Sequence, residues 1–263
     1  MKKVLIIGVG SIGHRHLRVF NSTGRVDMAI CETNAQLRQE IAERYGIQEA
    51  HSTLEEALVT PPDLAVICTP AHLHIPMAIQ LATAGVDILI EKPLAISTQQ
   101  ISLLQEIVDQ KELICGVAYV MRHHPVMRDI LEIIETARFG TPLQYTLTSG
   151  QHFPHYRPAY RDIYYTSHAT GGGAIQDALT HMMNAAHWLF GPATSLLCDA
   201  SHLALQDVTV EDTVHALTRH GKLMGSLTLN QFQAPNESTL QINFERCSIR
   251  AEFHRNQWRQ CDH

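Results

Sequence analysis

The sequence lacks the patterns that mark membrane proteins and disulfide-rich secreted proteins. No apolar run among its 263 residues approaches the roughly 18 residues of a transmembrane helix. The apolar run that follows the N-terminal lysines breaks at Gly8, which is too soon for a signal peptide. The six cysteines form no CxxC pair, and such isolated thiols are typical of a reducing compartment. We therefore expect a cytoplasmic protein that does not associate with membranes.

The sequence also lacks a cluster of positive charge and a cluster of metal ligands. Its 20 lysines and arginines are scattered among 26 acidic residues, which gives a formal net charge of -6. A surface for nucleic acid or for anionic lipid is therefore not expected. The 17 histidines are dispersed rather than placed at ligand spacing, so we predict no metal site.

The chain has two parts with different patterns. Up to about residue 120, short apolar runs alternate with segments of helical period, which predicts a parallel, doubly wound α/β sheet. The candidate strands in this part are Lys3–Ile7, Val26–Cys31, Leu64–Cys68, Asp87–Ile90 and Leu113–Val117. Farther along, strand-like runs follow one another with few helices between them, which predicts an α+β domain with a mainly antiparallel sheet. We expect domains at residues 1–120 and 121–263.

A glycine fingerprint follows the first candidate strand directly. It consists of Gly8, Gly10 and Gly13, with Ser11 and Ile12 between the last two. In a strand-turn-helix unit the first glycine permits the tight turn, the second lets the backbone approach a pyrophosphate, and the third allows close helix packing. The helix that begins here would direct its first amides at the phosphates. These residues predict a Rossmann domain that binds a dinucleotide.

Glu32 stands at the end of the second candidate strand, about 20 residues beyond the fingerprint. An acidic side chain at this distance accepts hydrogen bonds from the adenosine ribose hydroxyls and repels a 2′-phosphate. Thr33 and Asn34 follow it, and the next arginine, Arg38, lies one turn into the predicted helix. We expect NAD as the cofactor, in preference to NADP.

Three side chains have the chemistry to oxidise a secondary alcohol. Lys92 follows a later strand of the same predicted sheet, while Asp177 and His181 stand four residues apart on one face of a predicted helix. Histidine titrates near neutral pH, so His181 suits a proton acceptor, and Lys92 would stabilise charge on the alkoxide. The reverse assignment, with Lys92 as the acceptor and His181 positioning the substrate, fits equally well. Asp177 would orient the imidazole or contact a substrate hydroxyl.

These motifs together resemble the Gfo/Idh/MocA family, named for glucose-fructose oxidoreductase and inositol dehydrogenase. The matching stretches, in order, are Gly8–Gly13, Thr69-Pro70 with His74, Glu91-Lys92-Pro93, and Gly172-Gly173 followed by Asp177 and His181. The resemblance covers the chain from Lys3 to about Phe253. It implies an N-terminal Rossmann domain, a C-terminal domain with an open antiparallel sheet, and sugars, cyclitols or nucleotide sugars as substrates. It also implies a homodimer or homotetramer formed through that sheet.

The resemblance assigns further residues to the site. Thr69, Pro70 and His74 would line the nicotinamide and ribose, next to Glu91 and Lys92, and the Lys92-Pro93 bond would be cis. The polar, aromatic loop from Gln151 to Tyr165 resembles the branch of the family that acts in nucleotide-sugar and surface-polysaccharide pathways. We expect substrate contacts from residues in this loop and on both sides of it, and an anionic sugar as substrate; the alternative is that the loop forms a subunit contact. The expected substrate residues are Tyr119, Arg122, Tyr160, Arg161, Asp177 and His181.

The sequence departs from the family pattern near its end. Relatives usually continue for several tens of residues beyond the point where this sequence stops at Cys261-Asp262-His263. We therefore expect a shortened C-terminal domain, which favours one alternative, a non-catalytic sensor that binds a dinucleotide. A second alternative is NAD-assisted cleavage of a glycoside through transient oxidation. Asn184 also stands where many relatives have aspartate.

Overall fold

The computed structural model describes residues 1–261, which excludes Asp262 and His263 at the end of the sequence. The chain divides into two compact units, Met1–Ala118 and a second unit that begins at Tyr119. Among the described residues, no helix combines the length and the apolar composition that crossing a bilayer requires.

The first unit is built on a six-stranded parallel sheet in the order β3-β2-β1-β4-β5-β6. The strands are β1 Lys2–Ile7, β2 Val26–Cys31, β3 Glu49–His51, β4 Leu64–Ile67, β5 Asp87–Ile90 and β6 Cys115–Val117. This is the strand order of a dinucleotide-binding fold, and it confirms the predicted doubly wound sheet. Strand β3 leaves no strand pattern in the sequence, because its three residues are polar or small and are not deeply buried.

Five helices connect these strands. They are α1 Ser11–Ser22, α2 Ala35–Tyr45, α3 Leu54–Ala57, α4 His74–Thr83 and α5 Ile101–Gln110. Helix α2 has the ends that its sequence predicts. The side chain of Asn34 accepts a hydrogen bond from the amide of Leu37 at 3.0 Å, and Gly46 adopts the left-handed conformation after the last turn.

Both faces of the first sheet are buried. Alternate residues of β1 belong to different cores, with Leu5 and Ile7 in one and Val4 and Ile6 in the other. A parallel sheet covered by helices on both sides has strands that read as continuous apolar runs. Burial on both faces makes these strands recognisable in the sequence. Because the strands are parallel, their carboxyl ends lie together at one edge of the sheet.

The second unit contains a seven-stranded sheet in the order β13-β12-β11-β7-β10-β9-β8. The strands are β7 Pro142–Gly150, β8 Ser195–Ser201, β9 Thr213–His220, β10 Leu223–Asn230, β11 Glu237–Phe244, β12 Ser248–Glu252 and β13 Gln257–Cys261. All neighbouring strands are antiparallel except β7 and β10. The predicted mainly antiparallel sheet is therefore confirmed.

Helices cover one face of the second sheet and leave the other face open. The helices of this unit are α6 Pro125–Glu135, the short α7 Phe153–Tyr156, and α8 Thr180–Phe190. Met127 of α6 and Ala185 of α8 share a core with the inward residues of the sheet, such as Leu227. On the opposite face of β9, Leu217 is 57 % exposed.

Candidate active site

The glycine turn of the first unit is tightly packed. The backbone of Gly13 lies so close to the turn after β1 that a Cβ atom on Gly13 would stand 1.8 Å from the carbonyl oxygen of Gly8. Gly8 has a φ of +80°, which favours glycine. A Cβ on Gly10 would meet nothing within 4 Å, and this residue has no side chain to cap the first amides of α1. The turn therefore has the form of a phosphate cradle.

Glu32 is tied to this turn through its carboxylate. Its Oε2 accepts a hydrogen bond from the amide of Val9 at 3.0 Å, and its Oε1 accepts one from the amide of Asn34 at 2.9 Å. The guanidinium of Arg38 donates to the backbone carbonyl of Glu32 at 2.5 Å. The negative charge thus stands directly beside the turn, where it suits a ribose diol better than a 2′-phosphate. The turn and the carboxylate together fit the NAD that the sequence predicts.

The end of β5 holds a buried carboxylate. The residue Glu91 is 8 % exposed. Its Oε1 lies 2.7 Å from Nε2 of His16 on α1, and its Oε2 accepts a hydrogen bond from the amide of Lys92 at 3.1 Å. The Lys92-Pro93 bond is cis, as the resemblance implies. Burial opposes the charge on Glu91, but His16 and the amide and charge of Lys92 outweigh burial and hold the pKa of Glu91 below its ordinary value.

His74 lies almost entirely inside the first unit, with 1 % of its surface exposed. Its Nε2 is 2.8 Å from the carbonyl oxygen of Thr69, and its Nδ1 is 2.9 Å from the carbonyl oxygen of Pro93. Burial lowers the pKa of the ring. This arrangement differs from the cofactor contact that the resemblance implies, because both ring nitrogens are directed at the protein backbone. The hydroxyl of Thr69 lies 3.6 Å from the sulfur of Met77.

In the second unit, a π-helical segment, Ile175–Leu179, leads into α8. The sequence predicts Asp177 and His181 on one face of a regular helix, but Asp177 lies within the wider π turn, and His181 lies in the α-helix that follows. Asp177 is 3 % exposed. Its Oδ1 accepts a hydrogen bond from the hydroxyl of Tyr164 at 2.7 Å, and its Oδ2 pairs with Arg157 at 3.1 Å. Such π turns are common at functional sites.

Glu211 supports this π turn, and the sequence analysis missed it. Its Oε1 accepts a hydrogen bond from the amide of Ile175 at 2.8 Å, and its Oε2 lies 2.5 Å from Nε2 of His168. Gly173 has a φ of +92°, and a Cβ there would stand 2.6 Å from the Glu211 carboxylate. The glycine run is therefore a site of close approach. The only signal in the sequence was the acidic pair Glu211-Asp212 directly before an apolar strand.

Tyr119 and Arg122, both predicted to contact substrate, lie against α8. The ring of Tyr119 meets the ring of His181 edge-on at a centroid distance of 5.7 Å, and its hydroxyl is 2.6 Å from the hydroxyl of Thr180. Arg122 donates to the amide oxygen of Asn184 at 2.8 Å. The structure thus brings both residues to the helix that carries His181, while Asn184 engages Arg122.

Tyr160 and Arg161, the other predicted substrate residues, have partners within the second unit. Tyr160 is 1 % exposed, and its hydroxyl donates to the carbonyl oxygen of Gln206 at 3.0 Å. Arg161 donates to the Tyr160 hydroxyl at 3.1 Å and pairs with Asp207 at 3.1 Å. Of the two arginines in the loop, it is Arg157 that reaches Asp177. Sequence could not distinguish them, because both stand among aromatic residues.

Metal-ligating side chains do not converge in the part of the chain that the structure describes. Within residues 1–261, no group of three or more histidine, cysteine, aspartate or glutamate side chains is arranged to hold a metal ion.

Comparisons with known proteins agree with the two-unit architecture. A family model described as an oxidoreductase family with an NAD-binding Rossmann fold matches residues 2–119. A second model, described as the GFO/IDH/MocA C-terminal domain, matches residues 127–250. The predictions of the family, the Rossmann domain and its NAD cofactor are thereby confirmed.

Two curated relatives show how far the similarity extends. Levoglucosan dehydrogenase of Pseudarthrobacter phenanthrenivorans is 31% identical over 171 residues, 63% of this chain and 43% of the relative. The scyllo-inositol 2-dehydrogenase (NAD(+)) of Bacillus subtilis is 23% identical over 244 residues, 91% of this chain and 63% of the relative. The chain spans about half the length of such relatives.

A similar solved structure is that of the WlbA dehydrogenase from Bordetella pertussis, in complex with NADH and UDP-GlcNAcA. It superposes with a TM-score of 0.88 at 25% sequence identity, and the match covers 98% of this chain and 82% of that chain.

The buried carboxylate of Glu91 predicts a pH dependence of stability. Since its folded pKa is lower than its ordinary value of 4.5, its contribution is complete above that pH and is lost as pH falls through the lower folded value. We expect Glu91→Gln to cost about 1–3 kcal/mol at neutral pH, and the difference from wild type to shrink below about pH 4.5. Urea unfolding between pH 7 and pH 3.5 measures this.

The matched control is Glu106→Gln, at an exposed position on α5, which is expected to change stability little at any pH. A difference between Glu91→Gln and wild type that stays constant across the whole pH range would contradict the prediction.

Proposed function

The chain belongs to the Gfo/Idh/MocA family of oxidoreductases, and we propose that it is an NAD-dependent dehydrogenase of sugars or nucleotide sugars. It would move a hydride between a secondary hydroxyl group and the nicotinamide. One observation carries the proposal. The carboxyl edge of the first sheet presents the glycine turn after β1, the Glu32 carboxylate tied to it, and Lys92 after β5.

The residues of this edge have separate tasks in the proposed reaction. NAD, when bound, supplies the hydride acceptor. The turn at Gly8, Gly10 and Gly13 leaves room for backbone to approach a pyrophosphate, and Glu32 accepts hydrogen bonds from a ribose diol. The ammonium group of Lys92 donates a hydrogen bond to the reacting oxygen of the substrate. A cation at that position stabilises the negative charge that develops on the oxygen as its proton leaves.

Within the second unit, His181 is the proposed proton acceptor. His181 accepts the hydroxyl proton at an imidazole nitrogen, and the ring of Tyr119 supports the imidazole edge-on. The assignment with Lys92 as the acceptor and His181 as the positioning group remains the alternative within this mechanism. Asp177 is engaged by Tyr164 and Arg157, so we assign it to fixing the loop before α8.

Sugars are the proposed substrates because of the relatives. The names of similar proteins specify levoglucosan and scyllo-inositol, and the WlbA structure holds UDP-GlcNAcA. These names support a dehydrogenase over a non-catalytic sensor or a glycoside-cleaving enzyme. Arg157, which is 45 % exposed beside Asp177, supports the prediction of an anionic sugar, since guanidinium groups bind carboxylate and phosphate. Tyr119, Arg122 and Arg161 remain proposed substrate residues, whereas Tyr160, buried and hydrogen-bonded to Gln206, is assigned to holding Arg161 in place.

We also propose that the protein is cytoplasmic and forms a homodimer or homotetramer through the open face of its second sheet. Leu197 of β8 stands opposite Leu217 of β9 in the sheet, and these side chains are 71 % and 57 % exposed. Beyond them the face continues through Ser226 and Thr146. This face therefore combines an exposed pair of leucines with neighbouring small polar side chains. Such a surface suits a flat interface with a second copy of the chain.

The test of the proposed activity is NADH production from a panel of sugars and nucleotide sugars, including anionic ones. We expect Lys92→Ala to lower turnover about 100-fold or more, because one charge-stabilising donor is lost, while NAD affinity stays within a few-fold. The control is Lys222→Ala, at an exposed position in the turn after β9. Turnover of Lys92→Ala at the wild-type rate would remove Lys92 from the mechanism.

The proposed NAD preference rests on Glu32. We expect Glu32→Ala to weaken NAD binding about tenfold or more, because hydrogen bonds to a charged group are lost. The same change should narrow the preference for NAD over NADP, since the repulsion of a 2′-phosphate disappears. Calorimetric titration of both cofactors measures this, with Glu40→Ala on α2 as the control. An unchanged ratio of the two affinities would place the ribose elsewhere.

The proposed interface is tested by sedimentation velocity. We expect Leu217→Asp to shift the wild-type oligomer to smaller species, because a charge would be buried against a second copy. Val59→Asp, at an apolar position in the first unit that is 83 % exposed, serves as the control and should leave the oligomer intact. A monomeric wild type would overturn the proposed oligomer, and unchanged sedimentation of Leu217→Asp would place the interface elsewhere.

A further inference from the structure

The backbone on both sides of Lys92 is fastened by a histidine from a different helix. On one side Glu91 contacts His16 of α1, and on the other side Pro93 contacts His74 of α4. All of these residues lie within the first unit.

The contact on the Glu91 side runs through a single carboxylate. One oxygen lies 2.7 Å from Nε2 of His16, and the other accepts the amide of Lys92 itself at 3.1 Å. The side chains of His16 and Glu91 are only 20 % and 11 % exposed, respectively. A buried carboxylate keeps its charge only when it is paired. Each oxygen of Glu91 has its own partner, His16 for one and the Lys92 amide for the other. Helix α1 is thereby linked to the backbone of Lys92.

The contact on the Pro93 side links two strand ends. His74 begins α4, and its ring stands between the carbonyl of Thr69, just after β4, and the carbonyl of Pro93, after β5. A neutral imidazole donates through one nitrogen at a time, whereas a protonated ring donates through both. Because burial lowers the pKa of this ring, which is only 1 % exposed, the neutral form is favoured. The ring then donates to Pro93 in the tautomer with its proton on Nδ1.

Lysine is a long, flexible side chain, so the position of its ammonium group depends on how firmly its backbone is held. A misplacement of about 1 Å can cost about 100-fold in rate. We propose that His16 and His74 are positioning residues for Lys92, His16 acting through Glu91 and His74 acting through the carbonyl of Pro93. This assignment rests on the proposed role of Lys92 in catalysis, but the hold on the backbone exists without substrate.

Matched variants separate these contacts. At position 16, glutamine presents an amide nitrogen where the imidazole has Nε2, so H16Q keeps the contact with Glu91 and H16L removes it. At position 74, the amide nitrogen of asparagine would stand where Nδ1 stands in histidine, so H74N keeps the contact with Pro93. The amide nitrogen of glutamine would stand where Nε2 stands, so H74Q keeps only the contact with Thr69. H74N and H74Q each retain one of the two contacts, so they are expected to fold equally well.

The first readout needs neither cofactor nor sugar. Hydrogen exchange at the Lys92 amide, resolved by NMR, reports local opening of the backbone at this residue. We expect H16L and H74Q to raise its exchange rate about tenfold or more, and H16Q and H74N to leave it within about threefold of wild type. Amides in the middle of β1 and β4 should be unaffected. If exchange at Lys92 is the same in H16L, H74Q and wild type, the proposal is overturned.

The second readout is a double-mutant cycle with Lys92. We expect H16L and H74Q to lower kcat about 10- to 100-fold with little change in NADH affinity. In a Lys92→Ala background the same changes should lower turnover by less than about twofold, since there is no ammonium group left to misplace. Equal losses in both backgrounds would mean that the histidines only stabilise the fold. If no sugar is oxidised at all, the proposed activity fails, and the exchange experiment still decides whether the histidines hold Lys92.

Discussion

The close approach of α1 to the turn after β1 is the constraint on which the first unit depends. Gly13 lies against the carbonyl of Gly8 with no space for a side chain, and this contact fixes where the rest of α1 can reach. Because the helix starts there, the turn amide of Val9 meets Glu32, and the imidazole of His16, farther along α1, meets Glu91. One packing contact therefore aligns the ends of β1, β2 and β5. A cofactor cradle and the backbone of Lys92 are fixed by the same helix.

The second unit uses a similar arrangement of glycine and carboxylate. The Glu211 carboxylate occupies the space that Gly173 leaves, and it accepts the amide of Ile175 at the start of the π turn. The π turn also carries Asp177. One carboxylate oxygen of Asp177 accepts a hydrogen bond from Tyr164, and the other pairs with Arg157. In both units a carboxylate accepts a backbone amide beside a glycine, Glu32 that of Val9 next to Gly8 and Glu211 that of Ile175 near Gly173. Paired carboxylates are stable in such places because hydrogen bonds replace the lost water.

Sequence revealed what is local or periodic and missed what depends on distant contacts. The fingerprint from Gly8 to Gly13, the strand ends at Glu32 and Lys92, and the apolar strands were predictable, because each leaves a short pattern. The importance of His16 could not be seen, since its partner Glu91 is 75 positions away in sequence. Glu211 and the π turn were missed for the same reason, and β13 because its residues Gln257–Cys261 are mostly polar and not deeply buried.

The partners of Asp177 connect the loop from Gln151 to Tyr165 to the helix that carries His181. Arg157 and Tyr164 both belong to the polar, aromatic loop, and they reach the one carboxylate on the π turn. Burial and the charge of Asp177 raise the pKa of Tyr164, so its hydroxyl stays protonated and continues to donate. A change in the loop therefore alters the hydrogen bonds of Asp177 and, through the π turn, the start of α8. In this unit, one carboxylate therefore couples the loop to the helix that carries the proposed proton acceptor, His181.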